Sequence, residues 1–105
     1  MPTYAEFEAQ KQECRDRIAK RDKVRLLLAS KEFKELILQD FIINESARMA
    51  ACCGDQNLSD SIRQICLVGS QSGGFLKRYL QTIETNGYQA ECDLKELEEI
   101  ELPME

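Results

Sequence analysis

A chain of 105 residues with 43% apolar residues, 31% charged residues and a net charge of −5 has the size of one domain and too much apolar content for a wholly disordered protein. No apolar run reaches the roughly 18 residues that a membrane helix needs. The start, MPTYAEFEAQ, has neither the basic nor the apolar stretch of an export signal, so neither insertion nor export is expected.

Thr3 followed by Glu6 forms a capping box, in which the threonine oxygen takes one orphan amide and the glutamate reaches back to another. The first helix is therefore predicted over residues 4–29. Phe7, Cys14 and Ile18 share one side of it, and Arg21 and Arg25 continue the same line, so the apolar stripe is thin. A basic helix of this kind is expected to project from the body or to pack on a partner. Ser30 suits the cap of a second helix over residues 31–53, with Gly54 placed for a left-handed C-terminal turn. On a 3.6-residue period Phe33, Leu36, Ile37, Phe41, Ile43, Ala47 and Ala50 form one broad face, while Leu38, Ile42, Met49 and Cys53 form a strip nearly opposite. A helix apolar on both sides must be covered on both sides.

The segment Gly54 to Asp60 reads as a turn, with Asn57, Ser59 and Asp60 as candidate caps. A third helix over residues 60–86 carries the clearest stripe: Ile62, Ile65, Cys66, Gly69, Gly73, Leu76, Leu80 and Ile83. Asn86-Gly87 tolerates the left-handed conformation that ends a helix. Asp93 with Glu96 repeats the capping-box spacing, which predicts a short acidic helix over residues 93–102, stopping before Pro103. The fold expected from these elements is all-α: a three-helix antiparallel bundle-like domain with a short acidic C-terminal helix or tail.

Charge is laid out unevenly. Nine basic and four acidic residues lie between Lys11 and Lys34, whereas Glu91 to Glu105 holds seven acidic and one basic. The basic side chains of the first helix spread around it among Glu13, Asp16 and Asp22, the pattern of a solvated, salt-bridged helix. Arg15, Arg17, Arg21 and Arg25 are nevertheless the candidates for contact with an anionic partner, and nucleic acid is the less favoured one.

Little chemistry is encoded. Gly69-Ser70-Gln71-Ser72-Gly73-Gly74 follows an apolar run, yet Phe75-Leu76 stand where a phosphate-binding loop needs Lys and Ser or Thr. In a continuous third helix Gly69 and Gly73 lie on its stripe and let another helix come close. In a broken one Gly73-Gly74 mark a kink or hinge. There is no histidine, and the five cysteines, Cys14, Cys52, Cys53, Cys66 and Cys92, include no C-x-x-C pair. No zinc site is expected, nor any other metal or cofactor, and the thiols imply a reducing compartment. Cys52-Cys53 reads either as a vicinal disulfide or as two thiols on different sides of a helix. Asp40, Asn44 and Arg48, four apart, lack a nucleophile or a second titrating group and suit a polar ladder that sets register or recognises a partner. No catalytic residue is assigned. The residues expected to bind a partner are Leu38, Ile42, Met49, Cys53, Asp40, Asn44, Arg48, Gly69 and Gly73.

Three segments carry a family likeness: Phe33-Lys34-Glu35-Leu36-Ile37-Leu38, Glu45-Ser46-Ala47-Arg48, and Phe75 to Ile83 with Gly87 beyond. Over residues 29 to 100 the chain resembles short all-helical, largely uncharacterised proteins of tailed bacteriophages. It departs from their pattern at Cys52-Cys53 and Gly73-Gly74. The resemblance implies a phage origin, a place in the virion or host cytoplasm, and a role in building or filling the particle. Together with the surplus apolar surface of the second helix, it leads to the expectation of a non-enzymatic structural or adaptor protein contacting copies of itself or other virion proteins. The alternative is a small inhibitor or regulator that binds a host enzyme or defence complex.

Overall fold

The computed structural model describes residues 3–101, the side chain of Glu101 excepted; the predicted helix end at 102 and Pro103 lie outside the described residues. Among them the fold is all-helical, with no strand. Helix α1 spans Tyr4–Ala29. Its start is the capping box: the Glu6 amide donates to Thr3 Oγ1 at 3.1 Å, and the Thr3 amide to Glu6 Oε2 at 3.2 Å. Helix α2 covers residues 31–53 after Ser30, whose hydroxyl accepts from the Phe33 amide at 3.3 Å while its own backbone is extended.

Within α2 only the ends are α-helical, at Lys31–Phe33 and Ser46–Cys53; Lys34–Glu45 between them is a π-helix. Its i→i+5 hydrogen bonds place more residues in each turn than the α-helix does. The two opposite strips expected on the α-helical period therefore merge. Phe33, Ile37 and Phe41 are half-buried together with Leu38, Ile42, Met49 and Cys53, while Leu36, Ile43, Ala47 and Ala50 are exposed. Gly54 ends the helix without a left-handed turn, at φ −92° and ψ 0°, its amide donating to the Ala51 carbonyl at 3.3 Å. In the following loop Asp55 Oδ1 accepts from the Asn57 amide at 2.9 Å, and Ser59 Oγ caps the next helix through the Ile62 amide at 3.3 Å.

That helix, α3, runs unbroken over Asp60–Glu101. It passes through Gly73-Gly74 without a break, which removes the kink. It also passes through Asn86-Gly87, so the predicted stop at residue 86 and the separate helix over 93–102 do not exist. The physical reason lies in what Gly87 does. Its φ is negative, it is buried, and a Cβ there would collide with the Arg21 side chain. The glycine supplies space rather than a turn. Asp93, read as a cap, sits in mid-helix and accepts from Gln89 Nε2 at 2.9 Å.

The contacts divide the chain into two units, Met1–Leu26 with Gln81–Glu105, and Leu27–Leu80. In the first unit α1 lies antiparallel to the C-terminal half of α3: Arg25 meets Glu84, and Arg21 meets Gly87 and Glu91. Cys14, Val24, Ile83 and Ala90 are its buried apolar residues, and each large aliphatic among them contributes about 1.5–3 kcal/mol by leaving water. Helix α1 packs along α3 within this unit, and it does so through charged stems as much as apolar ones. Lys11 and Arg21 are both buried, which long side chains permit because their methylenes cover apolar surface.

In the second unit α2 lies antiparallel to the N-terminal half of α3. Ile42 and Ser46 sit over Gly73, Met49 sits over Gly69, and Cys53 Sγ lies 3.9 Å from the Arg63 carbonyl oxygen. Burial here is sparse. No residue of α2 is buried, and α3 contributes only Gly73 and Leu80.

Candidate protein interface

The residues expected to meet a partner separate into two groups. Ile42 and Met49 turn toward α3 of the same unit, over Gly73 and Gly69, with Cys53 reaching the Arg63 carbonyl; Leu38 is half-buried beside them. Within this chain α3 thus provides the helix that this strip lacked in the sequence. Asp40, Asn44 and Arg48, expected to form a polar ladder, are all exposed. Asn44 Nδ2 donates to Asp40 Oδ1 at 3.5 Å, and Gln39 Nε2 donates to Asn44 Oδ1 at 3.3 Å. Arg48 forms a two-pronged pair with Glu45, its guanidinium holding that carboxyl below the usual glutamate range. The ladder is a surface network flanked by exposed Leu36 and Ile43.

Three of the four candidate anion-binding arginines are engaged inside the first unit. Arg17 Nη2 meets Glu13 at 2.6 Å. Arg25 forks onto Glu84, with Nη2 2.5 Å and Nε 3.1 Å from Oε1. Arg21, only 3% exposed, reaches Glu91 at 2.6 Å and Asp22 at 3.0 Å. These hydrogen bonds, the one to Glu91 first, raise the arginine's affinity for its proton, and they hold Glu84 and Glu91 below the ordinary glutamate range. Arg15 is exposed, within electrostatic reach of Glu8. An open groove of about 340 Å³ in the same unit is lined by Glu13, Cys14, Arg17, Asp93, Glu96 and Leu97, among others. Burial pushes the Cys14 thiol up, so it is a poor thiolate there. Among the described residues no three His, Cys, Asp or Glu side chains are placed to hold a metal, and no helix is long and apolar enough to cross a membrane.

A surface that the sequence reading passed over lies on α3. Ile65, Val68 and Phe75 are 65%, 60% and 64% exposed. With Ser72 between them and Tyr79 beyond, the positions 65, 68, 72, 75 and 79 alternate steps of three and four, the spacing of a coiled-coil seam. Ile65, expected on the inner stripe, is exposed, and that stripe passes instead through Cys66, Gly69, Gly73, Leu76 and Leu80. The first four seam positions lie in the stretch Gln64 to Leu76, which contains no charged residue although the chain as a whole carries −5. That uncharged run was the available signal.

No protein family, curated protein or solved structure matches the chain. Its functional reading therefore rests on the chain's own surfaces.

Proposed function

We propose that this chain is a non-enzymatic structural or adaptor protein that works through contacts with other protein chains, as a component of a bacteriophage particle or of its assembly. One observation carries the reading: the uncharged, exposed seam of Ile65, Val68 and Phe75 on a helix whose inner face is already occupied. Burying the exposed parts of these side chains against another helix would contribute on the order of 1–2 kcal/mol each. A bundle-like packing is then completed between chains, the two-helix unit Leu27–Leu80 receiving a further helix. A second copy fits best, because two molecules each carrying −5 repel one another except where a surface is uncharged. The engagement of Arg17, Arg21 and Arg25 by carboxylates of their own unit favours protein over nucleic acid as the partner.

The test is sedimentation of the full chain at high micromolar concentration beside Val68→Glu and Phe75→Glu, with Tyr88→Glu as a control at an exposed position of the other unit. The expected result is self-association lost in the two seam variants, kept in the control, with helical circular dichroism unchanged in all. A strictly monomeric parent that also captures no particle protein overturns the reading. Mass spectrometry of purified particles tests its placement in the virion, and recovery of a single host enzyme with the tagged chain would favour the inhibitor instead.

A further inference from the structure

Three of the five thiols, Cys52, Cys53 and Cys66, fall in the Leu27–Leu80 unit. The pairing of α2 with α3 is fixed at Gly73 under Ile42 and Ser46, at Gly69 under Met49, and at Cys53 near the Arg63 carbonyl. Each step toward the turn along α2 is matched by a step back along α3, and this register sets Cys52 opposite Cys66. Cys52 lies within electrostatic reach of the Cys66 thiol and, with burial, helps to raise its pKa. The backbones are close at Gly73, two to three turns from this point, where an added Cβ would lie 3.0 Å from Ile42 Cα; at Gly69, one turn away, the Met49 side chain fills the space between the helices. Close backbones are what a helix-to-helix disulfide requires, because its Cα atoms must stand roughly 4.4–6.8 Å apart. Cys53, one residue on, meets α3 nearer the turn, its Sγ 3.9 Å from the Arg63 carbonyl oxygen and 3.4 Å from the Met49 carbonyl oxygen of its own helix, three residues short of Cys66 along α3.

We propose that Cys52 and Cys66 form an intramolecular disulfide when the chain meets a two-electron oxidant such as hydrogen peroxide, tying α2 to α3 beside the turn. The Cys52 thiolate attacks a peroxide oxygen, the O–O bond breaks, and a sulfenic acid and hydroxide result. The Cys66 sulfur then attacks the sulfenic sulfur, the S–O bond breaks, and the departing hydroxide takes the Cys66 proton as water. Two thiols lose two electrons, and one peroxide becomes two waters. Burial pushes the Cys66 thiol above the ordinary cysteine range, which suits it to the second step rather than the first. The link closes a short loop in a unit where α2 buries no residue, so it constrains the part of the chain with least packing to hold it.

The experiment treats the full chain with hydrogen peroxide, blocks remaining thiols at low pH, and compares intact mass and tryptic peptides without reduction. The expected result is a loss of about 2 Da and a single linked pair joining peptide 49–63 to peptide 64–77. Cys53→Ser keeps the linkage, whereas Cys52→Ser and Cys66→Ser lose it. The parent's melting temperature rises on oxidation, and that of Cys52→Ser does not. A bond within peptide 49–63, a linkage that survives Cys52→Ser, a bond between chains, or no loss of mass overturns the proposal. The parent measurement stands even if a variant fails to fold, and none of these outcomes depends on whether the chain self-associates.

Discussion

Alanine at Gly73 and at Gly74 tests the helix pairing with an internal control. Both positions lie inside α3, so both substitutions gain the same helix propensity, about 1 kcal/mol. They differ in the space available. At Gly74 nothing lies within 4 Å of the added Cβ, whereas at Gly73 it would stand 2.8 Å from Ser46 Oγ, 3.0 Å from Ile42 Cα and 3.3 Å from the Ile42 carbonyl oxygen. Carbon atoms normally rest about 3.5–4.0 Å apart, and a backbone atom cannot swing aside as a side-chain tip does. Overpacking of this kind costs about 1–3 kcal/mol. Gly74→Ala should therefore stabilise the chain by about 1 kcal/mol, raising its melting temperature by roughly 4–8 °C. Gly73→Ala should range from neutral to about 2 kcal/mol destabilised. Thermal melts followed by circular dichroism at 222 nm, with urea titrations beside them, measure both. Equal stabilisation by the two variants would refute the close approach of α2 and α3, and with it the register that sets Cys52 opposite Cys66.

Acid should loosen the first unit. Glu84 and Glu91 are held below the ordinary glutamate range by Arg25 and Arg21, so the stability they lend is complete above about pH 4.3 and disappears as pH falls through their lowered values. Melts between pH 7 and pH 3 should show this loss, and Glu91→Gln should flatten it while lowering stability at pH 7; a pH profile unchanged by Glu91→Gln would count against the pairing. Replacing the α2 cap by Ser30→Ala should cost about 0.5–2 kcal/mol in urea unfolding, with Ser30→Asp retaining most of the stability; a silent alanine would show that this helix start depends on something else.

Features set by short-range chemistry were readable from the sequence. Thr3 with Glu6, Ser30 and Ser59 each cap where their hydroxyls and neighbours indicate, and α1 and α2 keep the bounds that these signals give. What failed was the use of one local signal for a question that tertiary contact decides. Gly87 reads as a stop by its conformational freedom, yet Arg21 needs the room it leaves. The phase of the stripe held the correction, since Ile83, Gly87, Ala90, Leu94 and Leu97 continue the steps of three and four past the supposed end. The π-helical stretch carries no such signal: projected on an α-helical period, its one strip divides into two. The seam at Ile65, Val68 and Phe75 is marked in the sequence only by the absence of charge from Gln64 to Leu76.

The wide turns of residues 34–45 bear on how such a chain tolerates change in length. An α-helix that gains or loses one residue rotates everything beyond it by about 100°, which would swing Met49 off Gly69 and Cys52 off Cys66. A π-helical stretch already holds more residues per turn than an α-helix, so a single deletion there can be absorbed by tightening one turn to i→i+4 bonding while the residues beyond stay in phase. Residues 34–45 are thus the place in α2 where this chain can lose one residue and still present the same contacts to α3.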